Sequence, residues 1–161
     1  MINRRHPEEP PVLELAPLFT LDVRLAAPKT VYNGPHGERR LIDVLGGTFT
    51  GERLSGEVLP GGADFQLVRP DGVAEIDVRA ALRTDEGDLV DLTGRGLRHG
   101  PAEVPARPAA GEQVDPASYY FRECRFFDAG APRVAWLNRV VTVAHGARAR
   151  SSAKIDVFEV R

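Results

Sequence analysis

The chain has 161 residues, a length that suits one domain around one hydrophobic core. Hydrophobic residues make up 42% and charged residues 27%, so neither disorder nor a fibrous repeat is indicated. Lys and Arg number 21 against 23 Asp and Glu, a formal net charge of −2 with no long run of one sign, which argues against a nucleic-acid or anionic-membrane partner.

From Met1 the chain passes through Arg4 and Arg5 into Glu8, Glu9, Pro10 and Pro11 rather than into an apolar stretch. No secretory signal peptide is therefore expected, and no apolar run is long enough to span a membrane. The single cysteine, Cys124, excludes an internal disulfide and fits a cytoplasmic location; it reads as a small core or near-core residue. Residues 1–17 read as an N-terminal arm and residues 18–161 as one domain.

Gly and Pro are abundant, 16 and 13, and no window outside the termini holds a clean helical stripe for more than about three turns. Period-two segments recur instead, at Phe19–Leu25, Thr48–Val58, Ala63–Arg69, Val73–Arg83, Leu89–Thr93, Tyr119–Phe127, Val134–Ala144 and Lys154–Val160. Pro60-Gly61-Gly62, Pro70-Asp71-Gly72 and Asp85-Glu86-Gly87 predict hairpin turns, because Gly supplies the positive φ a tight turn needs. Two stretches lack pattern: Ala27–Arg40, expected to lie on the surface outside the sheet, and His99–Ser118, whose four prolines mark it as a candidate lid. About eight or slightly more antiparallel strands in one chain need closure to hide their edges. The expected fold is all-β with almost no helix, a single-domain closed antiparallel β-barrel.

Polar residues on strand faces supply the candidate site. In Val73–Arg83, Ala74, Ile76, Val78, Ala80 and Leu82 share one face, and Glu75, Asp77, Arg79 and Arg83 the other. Asp77 and Arg79 form either a weak surface pair or a charged element in a barrel mouth, where an Arg could hold a substrate's oxyanion. Asp64, two residues past Gly61-Gly62, either caps that turn or faces inward, where burial would raise its pKa toward that of a general base. Trp136 and Asn138 lie two residues apart and share a face, suiting either the core or an apolar ligand with one carbonyl. Tyr119 shares a face with Phe121, and Tyr120 with Arg122; which face is inward stays open. His6, His36, His99 and His145 are placed in loops or termini without metal-ligand spacing, so no metal is expected. No phosphate-cradling glycine pattern precedes a helix, and no cofactor is expected. Arg148, Arg150 and Lys154 lack interleaved aromatics and read as a solvated turn.

Gly46-Gly47-Thr48-Phe49-Thr50-Gly51, the run from Leu54 to Phe65, Asp71-Gly72 and Ile76-Asp77-Val78-Arg79 resemble the bacterial family known as domain of unknown function 3237. Tyr119 to Arg122, Trp136-Leu137-Asn138 and Asp156 to Val160 resemble that family's later blocks, so the likeness runs from about Leu18 to the C-terminus. The resemblance implies a small antiparallel barrel of allene-oxide-cyclase-like or lipocalin-like shape, commonly a homo-oligomer. Phe65 stands where Trp is usual and Phe158 where Tyr is usual, which would remove a hydrogen-bond donor from a pocket.

The expected function is a cofactor-independent isomerase, cyclase or lyase acting on a carbonyl-bearing, partly apolar small molecule. Asp64 is the expected base, with Arg79 and Asn138 stabilising negative charge. Trp136 and Tyr119 wall the substrate, Arg122 is a reserve cation, and Phe65 and Asp77 complete the set. The alternatives are a non-catalytic small-molecule binding protein and a structural or interaction module with a filled interior.

Overall fold

The computed structural model describes residues 10–101 and 114–161. Ten strands run in chain order: β1 (Leu15–Leu25), β2 (Lys29–Gly34), β3 (Gly37–Thr50), β4 (Gly56–Val58), β5 (Ala63–Val68), β6 (Ala74–Thr84), β7 (Leu89–His99), β8 (Tyr120–Ala129), β9 (Thr142–Arg148) and β10 (Ser152–Val160). Two short 3₁₀ turns, Pro116–Ser118 and Ala135–Arg139, are the only helical segments among the described residues. No helix of the described residues is long and apolar enough to cross a membrane.

Every pairing is antiparallel, and β1 closes the sheet by pairing with both β10 and β3. β4 and β5 both lie between β3 and β6 and form two halves of one stave, so the closed barrel has eight staves with β2 outside it. The alternation expected for β6 holds: Ala74, Ile76, Val78, Ala80 and Leu82 are buried, while Arg79 and Arg83 are exposed.

Hairpins form at Pro70-Asp71-Gly72, between β5 and β6, and at Asp85-Glu86-Gly87, between β6 and β7; Gly72 and Gly87 take φ of 85° and 90°. Pro60-Gly61-Gly62 differs. The chain does not reverse there but bulges and continues along the same two neighbours, with the Val44 amide bonded to the Gly62 carbonyl. The segment expected as one strand, Thr48–Val58, is correspondingly split by the turn at residues 51–55. Val134–Ala144 divides into a 3₁₀ turn and the start of β9. Ala27–Arg40, expected outside the sheet, holds β2 and the start of β3, because Pro28 and Pro35 stand at strand ends where no ladder bond is lost. β1 begins at Leu15, three residues before the expected domain boundary. The expected lid lies largely in residues 102–113, outside the described residues.

β1, β5, β7 and β9 point the same way, so Leu25, Val68, His99 and Arg148 mark one end of the barrel. The other end is filled. Phe19 packs on Phe49 and Phe127 with ring centroids 5.3 and 5.5 Å apart, and Leu54, Val134 and Leu137 pack into the same cluster. A plugged floor and a polar opposite end give the barrel a direction.

Candidate functional site

Inward-facing residues of successive strands alternate along each stave, and toward the end marked by Leu25, Val68, His99 and Arg148 they turn polar. β5 contributes Asp64 and Gln66, β7 Arg98, β8 Glu123 and Arg125, and β9 Arg148. With Leu21, Ile42, Val44, Ile76, Val78 and Ile155 they line a cavity of about 60 Å³.

Space for the charged residues comes from their neighbours on β7 and β9. Gly94 and Gly96 face Arg125 and Glu123 across the β7–β8 ladder, and a side chain at Gly96 would overlap Glu123. Gly146 is similarly covered by the Phe121 ring, which in turn lies 5.8 Å beneath the Arg98 guanidinium. Small residues on one strand thus admit long side chains from the next.

Asp64 is held by two hydrogen bonds. Its Oδ1 accepts from the Asp77 backbone N–H at 2.9 Å, and its Oδ2 from Gln66 Nε2 at 3.1 Å. The first bond falls where the β5–β6 ladder skips, between the Asp64–Val78 and Leu67–Glu75 pairs, so the side chain replaces a sheet carbonyl as partner. Burial pushes the Asp64 carboxyl above the usual carboxylate range and the Glu123 charge adds to this; the Asp77 amide, Gln66 and Arg98 oppose it.

More fully buried, Glu123 and Arg125 form an ion pair at 2.6 Å with side chains 2% and 6% exposed. The contact is off-axis for a hydrogen bond, so Glu123 Oε2 and Arg125 Nε, together with Gln66 Oε1, have no hydrogen-bond partner among the described residues. At the polar end, burial lowers the pKa of Arg98, with Asp64 the leading opposing charge. Burial first, and then the charge of Arg98, bring Arg148 down to about 10. Arg148 also donates from Nη1 to the Ala149 and Ser152 carbonyls, and its backbone N–H donates to the Tyr119 hydroxyl at 2.8 Å.

The expected site residues divide between this end and elsewhere. Asp64 lines the cavity and Tyr119 borders it through Arg148. Arg79 is exposed on the outer face of β6, Asp77 pairs outside with Arg95 at 3.3 Å, and Phe65 is 50% exposed on the outer face of β5. Arg122 is exposed on the outside of β8, its guanidinium 5.3 Å from the Tyr120 ring. Trp136 and Asn138 belong to the plugged end: Arg53 stacks on Trp136 at 3.7 Å, and Asn138 bonds both the N–H and C=O of Ala129. The pleat decides the strand placements, since odd positions of β5 and β6 and even positions of β8 face out, whereas Trp136 and Asn138 lie in the 3₁₀ turn rather than in a strand. Other expectations also shift. Arg148, read as part of a solvated turn, faces the cavity; Cys124, read as near-core, is exposed; His99 and His145 stand in strands rather than loops.

Sequence reasoning missed Arg98, Glu123, Arg125 and Gln66. A signal existed: Arg98 follows Gly94 and Gly96 at the same parity, and Glu123 and Arg125 share parity with Phe121 and Phe127, so a charged pair interrupts an apolar face.

The molecule is thus a closed antiparallel β-barrel with one plugged end and one charged, cavity-bearing end. Residues 13–160 match the family described as protein of unknown function (DUF3237), and the chain belongs to that family. It is 39% identical over 150 residues to a UPF0311 protein of Rhodopseudomonas palustris, covering 93% of this chain and 98% of that one. A crystal structure of a conserved protein of unknown function from the same species superposes with a TM-score of 0.89 at 38% identity, covering 94% of this chain and all of the other. A beta-barrel like protein from Acinetobacter baumannii superposes with a TM-score of 0.83 at 38% identity, over 95% and 99% of the two chains. An enzyme from Penicillium herquei shares the fold at a TM-score of 0.73 and 16% identity, over 96% and 98% of the chains.

Proposed function

We propose that the barrel is a cofactor-independent enzyme that moves a proton on a carbonyl-bearing, partly apolar small molecule. The observation that carries this reading is Asp64: a carboxylate raised by burial, held by two hydrogen bonds, in a cavity that also holds three guanidiniums. Proton abstraction next to a carbonyl needs a base shielded from water and positive charge where the enolate oxygen forms. Asp64 takes the proton from the carbon beside the carbonyl, and the electron pair moves onto the carbonyl oxygen. Arg98, Arg125 and Arg148 supply the positive field in place of Arg79 and Asn138. The enolate then regains a proton at another carbon in an isomerase, attacks within the molecule in a cyclase, or expels a leaving group in a lyase.

The test is proton–deuterium exchange, followed by NMR, at the carbon beside the carbonyl of small oxo acids incubated with the protein in heavy water. Wild type should catalyse exchange, and Asp64→Asn should slow it by about a hundredfold or more. Equal rates with the two proteins would remove Asp64 as base. A carrier, the second reading, is favoured by the enclosed apolar floor below the charges; it would bind such molecules without exchange in either protein.

A further inference from the structure

We propose that the ligand of the cavity is a short-chain carboxylate, its anionic group set between Arg98 and Arg148 and its apolar end on the aliphatic floor. This rests on reading the cavity as a substrate site and names the class of that substrate. Arg98 and Arg148 stand at or next to the C-terminal ends of β7 and β9, two parallel staves separated only by β8, so their side chains enter the barrel at the same end. The cavity walls hold three guanidiniums and two carboxylates, and Arg125 and Glu123 already pair with each other. Neither Arg98 nor Arg148 has a carboxylate of the described residues within ion-pair distance; the charge of Arg98 disfavours that of Arg148, as the charge of Arg40 disfavours that of Arg98. An anion between them relieves both. Planar forked guanidiniums match a carboxylate, while Asp64 and Glu123 in the same walls repel a dianion such as phosphate.

A second observation is independent of those charges. Gln66 and Arg125 are 2% and 5% exposed, yet among the described residues Gln66 Oε1 and Arg125 Nε have no partner in the cavity they line. An unpaired buried acceptor and an unpaired buried donor in the walls of one cavity suit a ligand carrying a hydroxyl or carbonyl as well as its carboxylate. Size sets the chain length: about 60 Å³ amounts to roughly four to six water-sized positions. That volume fits a short, branched acid against Leu21, Ile42, Ile76 and Ile155.

Calorimetric titration with sodium isobutyrate, isobutyramide and inorganic phosphate tests this on the full chain. Wild type should bind isobutyrate at least about tenfold more tightly than the neutral amide or phosphate, and Arg98→Gln and Arg148→Gln should each abolish that preference. Because Arg148 also bonds the Ala149 and Ser152 carbonyls, thermal melts accompany each variant, and Arg148→Lys should restore part of the affinity. Equal affinity for isobutyrate and isobutyramide, no binding of isobutyrate, preference for phosphate, or loss of preference in neither arginine variant would each overturn the proposal. Asp64→Asn should bind isobutyrate as tightly as wild type or more so. Binding with this pattern but no deuterium exchange would remove the catalytic reading and leave the ligand class standing; exchange on neutral ketones without isobutyrate binding would do the reverse.

Discussion

A Cβ placed on Gly96 would stand 2.5 Å from Glu123 Cγ, so the absence of a side chain on β7 is what lets Glu123 lie across that strand into the barrel. The two residues face each other in the β7–β8 ladder. Backbone of β8 is also close to that point, so rotamer change alone does not make room. Gly96→Ala should therefore lower stability by about 1–3 kcal/mol through overpacking. Urea denaturation checks this, and a midpoint equal to wild type would show that β8 can shift freely.

The Glu123–Arg125 pair should show the asymmetry of buried ion pairs. Removing one partner strands the other charge in a site that is nearly sealed from water. Glu123→Leu alone should cost about 3–5 kcal/mol, whereas Glu123→Leu with Arg125→Met should recover most of that loss. A double-mutant cycle by chemical denaturation measures the coupling; additive losses would mean the two charges are not coupled.

Asp64 imposes a pH dependence whose sign follows from its raised pKa. The folded state holds the proton more tightly than the unfolded chain, whose carboxyl titrates near 3.8. Stability therefore falls as pH rises from about that value through the raised folded pKa, and the penalty is fully present above it. Asp64→Asn removes the charge, and its amide can still accept from the Asp77 N–H and donate to Gln66 Oε1. The variant should melt higher than wild type at neutral pH, the difference closing as pH falls toward the unfolded value. Melting curves across that range decide it; a variant less stable than wild type at neutral pH would contradict the burial argument.

Asn138 should matter for stability and not for the cavity. Its side chain bonds both backbone groups of Ala129 at the plugged end. Asn138→Ala leaves both unpaired and should cost about 1–3 kcal/mol. Isobutyrate titration of the variant should match wild type, as should that of Arg79→Ala, whose side chain is exposed outside the barrel. A selective loss of binding in either would return that residue to the site.

Strand content and closure were legible because they are local and repetitive: a period of two is written into segments such as Ala74–Leu82, and Gly72 and Gly87 sit where a reversal needs positive φ. The same locality misled at Pro60-Gly61-Gly62. A bulge and a hairpin ask for the same residues, and only the neighbouring strands β3 and β6, shared by both halves, distinguish them.

For the site, the sequence by itself determined which strand residues share a face, Asp64 with Gln66 and Asp77 with Arg79; the same reading failed for Trp136 and Asn138, which lie in a 3₁₀ turn where alternate residues diverge. Tertiary structure decided which face is inward and which end is polar, because parity carries no sign until a strand is paired and the sheet closes. Closure turned Asp64 and Gln66 in, and Arg79 and Phe65 out. It also set Trp136 and Asn138 at the opposite end from Asp64, and it brought Arg98 and Arg148, fifty residues apart in the chain, to the same mouth. Sequence separation says nothing of that proximity; it follows from two parallel staves ending at one rim.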